Sequence, residues 1–159
     1  MSVSDQTIIR TPNPKGTFIN CIIDGTPKPG TCMQIKAATA AIGGRMTYEV
    51  AAPGGDGQRA LMAILVEDSL QGKTVSDAYA TGSNATLYCP VPGEELNILF
   101  NNVAGTADDV AIGDLLILDN GTGKFNVTTG TVESEPFQAL EAITDPTADT
   151  LLAAIFTGQ

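Results

Sequence analysis

Two stretches of this chain are punctuated in the same order, and that self-similarity is the tightest constraint on what it can fold into. In the first, Gly30-Thr31-Cys32-Met33-Gln34-Ile35-Lys36 is followed by Gly44-Arg45-Met46-Thr47-Tyr48-Glu49-Val50 and, past a Gly-rich loop, by an apolar run from Ala60 to Glu67. In the second, Gly113-Asp114-Leu115-Leu116-Ile117-Leu118 leads through Asn120-Gly121-Thr122-Gly123 to Lys124-Phe125-Asn126-Val127-Thr128, and after a spacer to Pro136-Phe137-Gln138-Ala139-Leu140-Glu141-Ala142-Ile143. Each copy opens a strand at a glycine and opens its return at a glycine plus a basic residue. Asn and Gly tolerate the positive φ of a tight reversal, so each copy reads as a β-hairpin feeding a third strand. The predicted fold is all-β: a compact barrel or sandwich of two related three-strand units, residues 30–68 and 113–143, within one domain spanning 17–159.

The rest of the chain has the same texture. Residues 17–23, 85–91, 96–100 and 150–156 read as further strands, separated by Gly- and Pro-rich turns at 24–30, 53–57, 92–95 and 145–147. The alanine-rich run 37–42 is too short and too even for an amphipathic helix, and no other run joins helical period to helical length. Residues 1–16 are polar and carry Pro12 and Pro14. They read as an extended arm outside the core, mobile alone and ordering against a partner.

Composition narrows the function. Histidine is absent, which removes the commonest general base and zinc ligand and every Ser-His or Cys-His nucleophile. Aromatics are 5% of the chain, which suits thin β layers better than a ring-walled pocket. The net charge of −10 is uneven: residues 1–73 hold seven basic and six acidic groups, residues 74–159 one and twelve. Such a surface repels phosphate backbones and anionic membranes, so neither nucleic acid nor membrane is an expected partner. Cys21, Cys32 and Cys89 are odd in number and lack C-x-x-C spacing, which reads as buried thiols in a reducing cytoplasm. The first residues lack the pattern of a signal peptide, and the longest apolar run is too short to span a membrane.

Several motifs invite chemistry and fall short of it. Gly121-Thr122-Gly123-Lys124 lacks the first glycine and the Ser or Thr of a phosphate loop, so a hairpin turn explains it. Asp77-Ala78-Tyr79 is similar to the Asp-x-Tyr element of trimeric dUTP pyrophosphatases, but that family's phosphate motifs have no counterpart; the bland account is an Asp capping a turn and a Tyr packing across it. The pairs Asp108-Asp109, Glu94-Glu95 and Glu67-Asp68 read as solvated loop acids. Calcium at Asp108, Asp109 or Asp119 lacks EF-hand spacing. The sequons at Asn84, Asn120 and Asn126 carry no weight without an export signal. No catalytic residue, metal or cofactor is expected.

Glu67-Asp68-x-Leu70-Gln71-Gly72-Lys73-x-x-x-Asp77-Ala78-Tyr79, Pro92-Gly93-Glu94-Glu95, Ile112-Gly113-Asp114-x-Leu116, Asp119-x-Gly121 and Ala139-Leu140-Glu141-Ala142 together resemble the head decoration, or capsid cement, proteins of tailed bacteriophages. The resemblance covers residue 30 to the C-terminus. It implies a small, β-rich, non-enzymatic virion protein, made in the host cytoplasm and bound to the capsid exterior as a homotrimer or, less often, a dimer. Its partners are then the major capsid protein and itself. The arm lies outside the resemblance, and its Arg10, Pro12, Pro14 and Lys15 are the capsid-binding candidates by charge and extension. The competing reading is a carbohydrate- or receptor-binding β module, which needs an aromatic platform from among Tyr48, Tyr79 and Tyr88.

Overall fold

Short apolar runs bounded by turn residues set ten strands in the computed structural model, which describes residues 7–37, 41–52, 61–68, 70, 72–101, 109–119, 121–127, 136–144 and 149–158. They are β1 (Thr17–Ile23), β2 (Cys32–Ile35), β3 (Thr47–Val50), β4 (Ala63–Leu65), β5 (Asn84–Cys89), β6 (Glu95–Phe100), β7 (Leu115–Leu118), β8 (Phe125–Val127), β9 (Phe137–Ala139) and β10 (Thr150–Phe156). The all-β reading holds, and no α-helix occurs among the described residues. β1 and β10 have the bounds expected of them. β9 is shorter than the run that encodes it: it ends at Ala139, and Ile143 pairs only through an isolated bridge to Val110. Residues 38–40 of the alanine-rich run and the turns at 53–57 and 145–147 lie outside the described residues.

The strands close into two barrels, in the orders β1-β3-β2-β4-β5 and β10-β6-β8-β7-β9. In each, the first strand runs parallel to the third and every other neighbour is antiparallel. Closure disposes of the sheet edges that a three-strand unit alone leaves open.

The barrels agree in register as well as in order. Setting Ile23 against Phe100 on the parallel pairs brings Met33 onto Leu116, Tyr48 onto Phe125, Ala63 onto Phe137, Leu65 onto Ala139, Ala85 onto Leu152 and Leu87 onto Ala154. Turn bonds recur too: Thr31 N donates to Lys28 O and Asp114 N to Ala111 O, while Gly30 N donates to Leu65 O and Gly113 N to Ala139 O. The interiors trade volume at these matched positions. Where the first barrel has Ala63 and Leu65, the second has Phe137 and Ala139, so each lumen is filled by a different division of large and small.

One matched pairing differs, and there the barrels join. In the first barrel Ile22 N donates to Met46 O. At the corresponding place in the second, Leu99 N instead donates to Gly30 O at 3.0 Å, and Gly123 O accepts Cys32 N at 2.7 Å. The backbone leading into β2 is thus spliced between β6 and the turn before β8. Around this splice the outward side chains Cys32, Ile64 and Tyr88 are wholly buried, packed in one cluster with the interior of the second barrel. The interior of the first barrel, with Cys21, Ile23, Met33, Leu65 and Tyr79, is a separate cluster.

Candidate functional site

The described part of the segment carrying the four candidate residues, residues 7–16, is docked and bends at residues 11–13. Ile9 bridges Leu96 in antiparallel sense, Asn97 N donates to Ile8 O, and Arg10 N and Thr11 N donate to Glu95 O, so the segment follows β6. Asn97 Nδ2 adds a bond to Thr7 O. Ile8 is fully buried in the cluster that holds the interior of the second barrel, so the described part of the expected arm contributes a core residue, while residues 1–6 lie outside the described residues. The pair Ile8-Ile9 in an otherwise polar, proline-bearing stretch is too short to give a periodic signal, so its anchoring role was not legible.

Two carboxylates hold the backbone of this strap. Glu67 Oε2 accepts Ile8 N at 3.1 Å. Glu94, only 5% exposed, accepts Lys15 N on Oε1, and Tyr88 OH and Val91 N on Oε2. The Tyr88 hydroxyl in turn accepts Gly16 N at 2.8 Å. Burial raises the Glu94 carboxyl, but the bonds from Tyr88 and from backbone amides outweigh it and leave its pKa below the usual value. Burial, then the bond to Glu94, pushes Tyr88 up to about 12. Sequence reasoning placed Glu94 among solvated loop acids; its inward turn is a tertiary fact.

Arg10, Pro12, Pro14 and Lys15 are all exposed on the strap. Arg10 donates to Asn97 Oδ1 and lies 3.8 Å from Glu95 Oε2, with both side chains more than a third exposed. Pairs so exposed contribute little to stability. The structure therefore presents these four side chains outward along a backbone tethered from within.

The other motifs take structural roles. Asp77 caps its turn by accepting Thr74 N and Oγ1, and the Thr74 backbone bond lowers its pKa. Tyr79 is buried and donates to Val66 O. Lys124, the cation of the apparent phosphate loop, pairs with Asp149 at 2.6 Å beside a cleft of about 250 Å³ between the barrels. Asp119 accepts Thr122 Oγ1 and Asn101 Nδ2. Glu94 points inward while Glu95 faces solvent, so this acidic pair does not converge. Asp108 lies outside the described residues, among which no three acidic or cysteine side chains are grouped to hold a metal. Tyr48, Tyr79 and Tyr88 are all buried, so none forms an aromatic platform. Among the described residues no helix is long and apolar enough to cross a membrane.

The three cysteines are free; Cys21 and Cys32 are buried and Cys89 is half-buried. Burial pushes the Cys21 thiol up to about 11 and Cys32 to about 12. Thiolate is the reacting form. In native protein at pH 8, a disulfide probe is expected to modify Cys89 first and slowly, with Cys21 and Cys32 reacting only in denaturant. Rapid stoichiometric labelling of Cys32 in the folded state would contradict this packing.

No family model matches the chain, and no curated protein matches it.

Proposed function

We propose that this is a structural protein that binds the outer surface of a phage capsid and stabilises it by bridging neighbouring major capsid proteins. The supporting observation is the strap: a backbone segment tied across both barrels that turns Arg10, Pro12, Pro14 and Lys15 to solvent. A cement has to carry load between subunits. A segment already ordered in the free protein loses less conformational entropy on docking than a floppy one. The backbone bonds of the splice also fasten one barrel to the other. The resemblance of the Gly and Asp punctuation to decoration proteins points the same way.

The test mixes purified protein with expanded shells and with unexpanded precursors and measures retention. Saturable binding to expanded shells alone is expected; binding to neither overturns the reading. Arg10→Ala with Lys15→Ala is expected to weaken retention about tenfold, the scale of two partly exposed charges, with the loss largest at low salt.

Glycan binding is the second reading, favoured by the outer face of β1 and β5. Phe18 is 54% exposed and rests on Tyr88 at a centroid distance of 4.9 Å. On the same face an open polar cleft of about 280 Å³ is lined by Asn20, Arg45, Asp68, Asn84 and Thr86. A glycan array without hits on the wild-type protein would remove it.

A further inference from the structure

The matched registers show what covers each corner of the repeat. In the first barrel the turn Lys28-Pro29-Gly30-Thr31 leads into Cys32, and this corner is the seat on which the second barrel docks: Thr31 is 2% exposed and Cys32 is fully buried. The second barrel builds the same corner from Ala111-Ile112-Gly113-Asp114 and Leu115, with the same turn bonds. There it stands open, with Ile112 72% and Leu115 36% exposed.

We propose that this open corner is the docking surface for the first barrel of a second copy of the chain, giving a head-to-tail contact. Charge favours that occupant. The first barrel, residues 17–89, carries five basic and six acidic groups, whereas the second, residues 95–156, carries one basic and ten acidic groups. Two second barrels facing each other, at −9 each, would repel strongly, whereas a second barrel facing a first, at −1, meets only a small fraction of that repulsion. The first barrel also offers an apolar counterpart. Its β2–β3 connection is longer than the β7–β8 turn, and Ile42 and Met46 on that connection, with Ile35 at the end of β2, are each at least 40% exposed beside Arg45. Met46 occupies the position matched by Gly123, so the copies cannot repeat the backbone splice and must meet through side chains. A heterologous contact of this kind closes into a ring when its rotation allows. The inference deepens the capsid reading, since a lattice-covering protein gains avidity from linked copies, but its test needs no shell.

Sedimentation velocity across a wide concentration range is expected to show self-association. Ile112→Arg alone and Ile42→Arg alone are each expected to weaken it about tenfold or more, with unchanged melting temperatures as the check on folding. Mixed in equal amounts, the two variants are expected to form capped dimers, because one retains an intact first-barrel face and the other an intact open corner. A wild-type protein that stays monomeric overturns the proposal. So does an Ile42→Arg variant that associates like wild type, which would mean that like faces meet.

Discussion

Gly123→Ala is expected to lower stability by about 4 kcal/mol. Residue 123 has φ +64°, where a side chain costs roughly 1–2 kcal/mol. A Cβ there would also stand 2.5 Å from Cys32 O and 2.8 Å from both Thr31 Cγ2 and Val50 Cγ1. Cys32 O is backbone held by Ala51 N, so relief requires moving a strand, and overpacking of that kind costs roughly 1–3 kcal/mol. The movement also lengthens the Cys32 N to Gly123 O bond that joins the barrels, a further loss of about 1 kcal/mol. Gly30→Ala meets the other half of the splice, with Leu99 N and Leu151 Cδ2 at 2.9 Å and φ +89°, and is expected to be nearly as damaging. Gly121→Ala is the control: its φ is +88°, but nothing lies within 4 Å of the added carbon. It carries only backbone strain, about 1 kcal/mol. At roughly 2–4 °C per kcal/mol for a chain of this size, Gly123→Ala should melt about 10 °C below wild type and well below Gly121→Ala. If the two variants melt together, the splice does not hold the barrels.

What the sequence disclosed and what it withheld divide along the reach of the interactions. Strands such as β1 and β10 are legible because a short apolar run bounded by turn residues is a local signal, and the β7–β8 reversal because Gly121 and Gly123 mark it. The three-strand units were legible for the same reason. Barrel closure was not, because it depends on β1 running parallel to β3 and antiparallel to β5 across more than sixty residues of chain. Neither partner carries a mark of that pairing. The splice was hidden more deeply. Gly30 and Gly123 each read as ordinary turn glycines, and only their meeting shows that both are small because two backbones touch.

The strap shows the same limit on single residues. Glu94 and Glu95 are identical neighbours after a Pro-Gly turn, and nothing local says which is buried. Glu94 turns inward because Tyr88 OH, Val91 N and the incoming Lys15 N converge on it, whereas Glu95 offers its backbone to Arg10 and Thr11 and leaves its carboxylate in solvent. Gly16 completes the fit, since a Cβ at that position would meet Cys89 O at 2.2 Å and Tyr88 OH at 2.7 Å. Pro12 and Pro14, by contrast, stand exposed, Pro12 within a bend at residues 11–13, where a residue without an N–H suits a backbone not wholly consumed by pairing.

Glu94→Ala is accordingly expected to cost about 3 kcal/mol and to release the end of the strap. Bonds to a charged acceptor contribute roughly 1.5–3 kcal/mol each, but the three on Glu94 are coupled and do not add. The substitution leaves Lys15 N, Val91 N and the buried Tyr88 hydroxyl without their acceptor. Amide exchange at Lys15 and Gly16 should accelerate far more than exchange in β10, which lies in the same barrel as Glu94's neighbour Glu95 but makes no bond to the carboxylate. Tyr88→Phe should give a smaller loss, since Glu94 keeps its two amide donors. The pH dependence has a definite sign. The Glu94 pKa is depressed in the folded state, so its contribution is full above the ordinary carboxylate range near 4.3 and is lost as pH falls through the lower folded value. The Tyr88 pKa is raised to about 12, so its contribution is full below about 10 and is lost as pH climbs from there toward 12. Exchange protection at Lys15 and Gly16 should therefore be flat between these limits and fall outside them, at the acid end through Glu94 and at the alkaline end through Tyr88. In Glu94→Ala the acid limb should flatten. A wild-type acid limb that survives the substitution unchanged would assign the strap's tether to some other group.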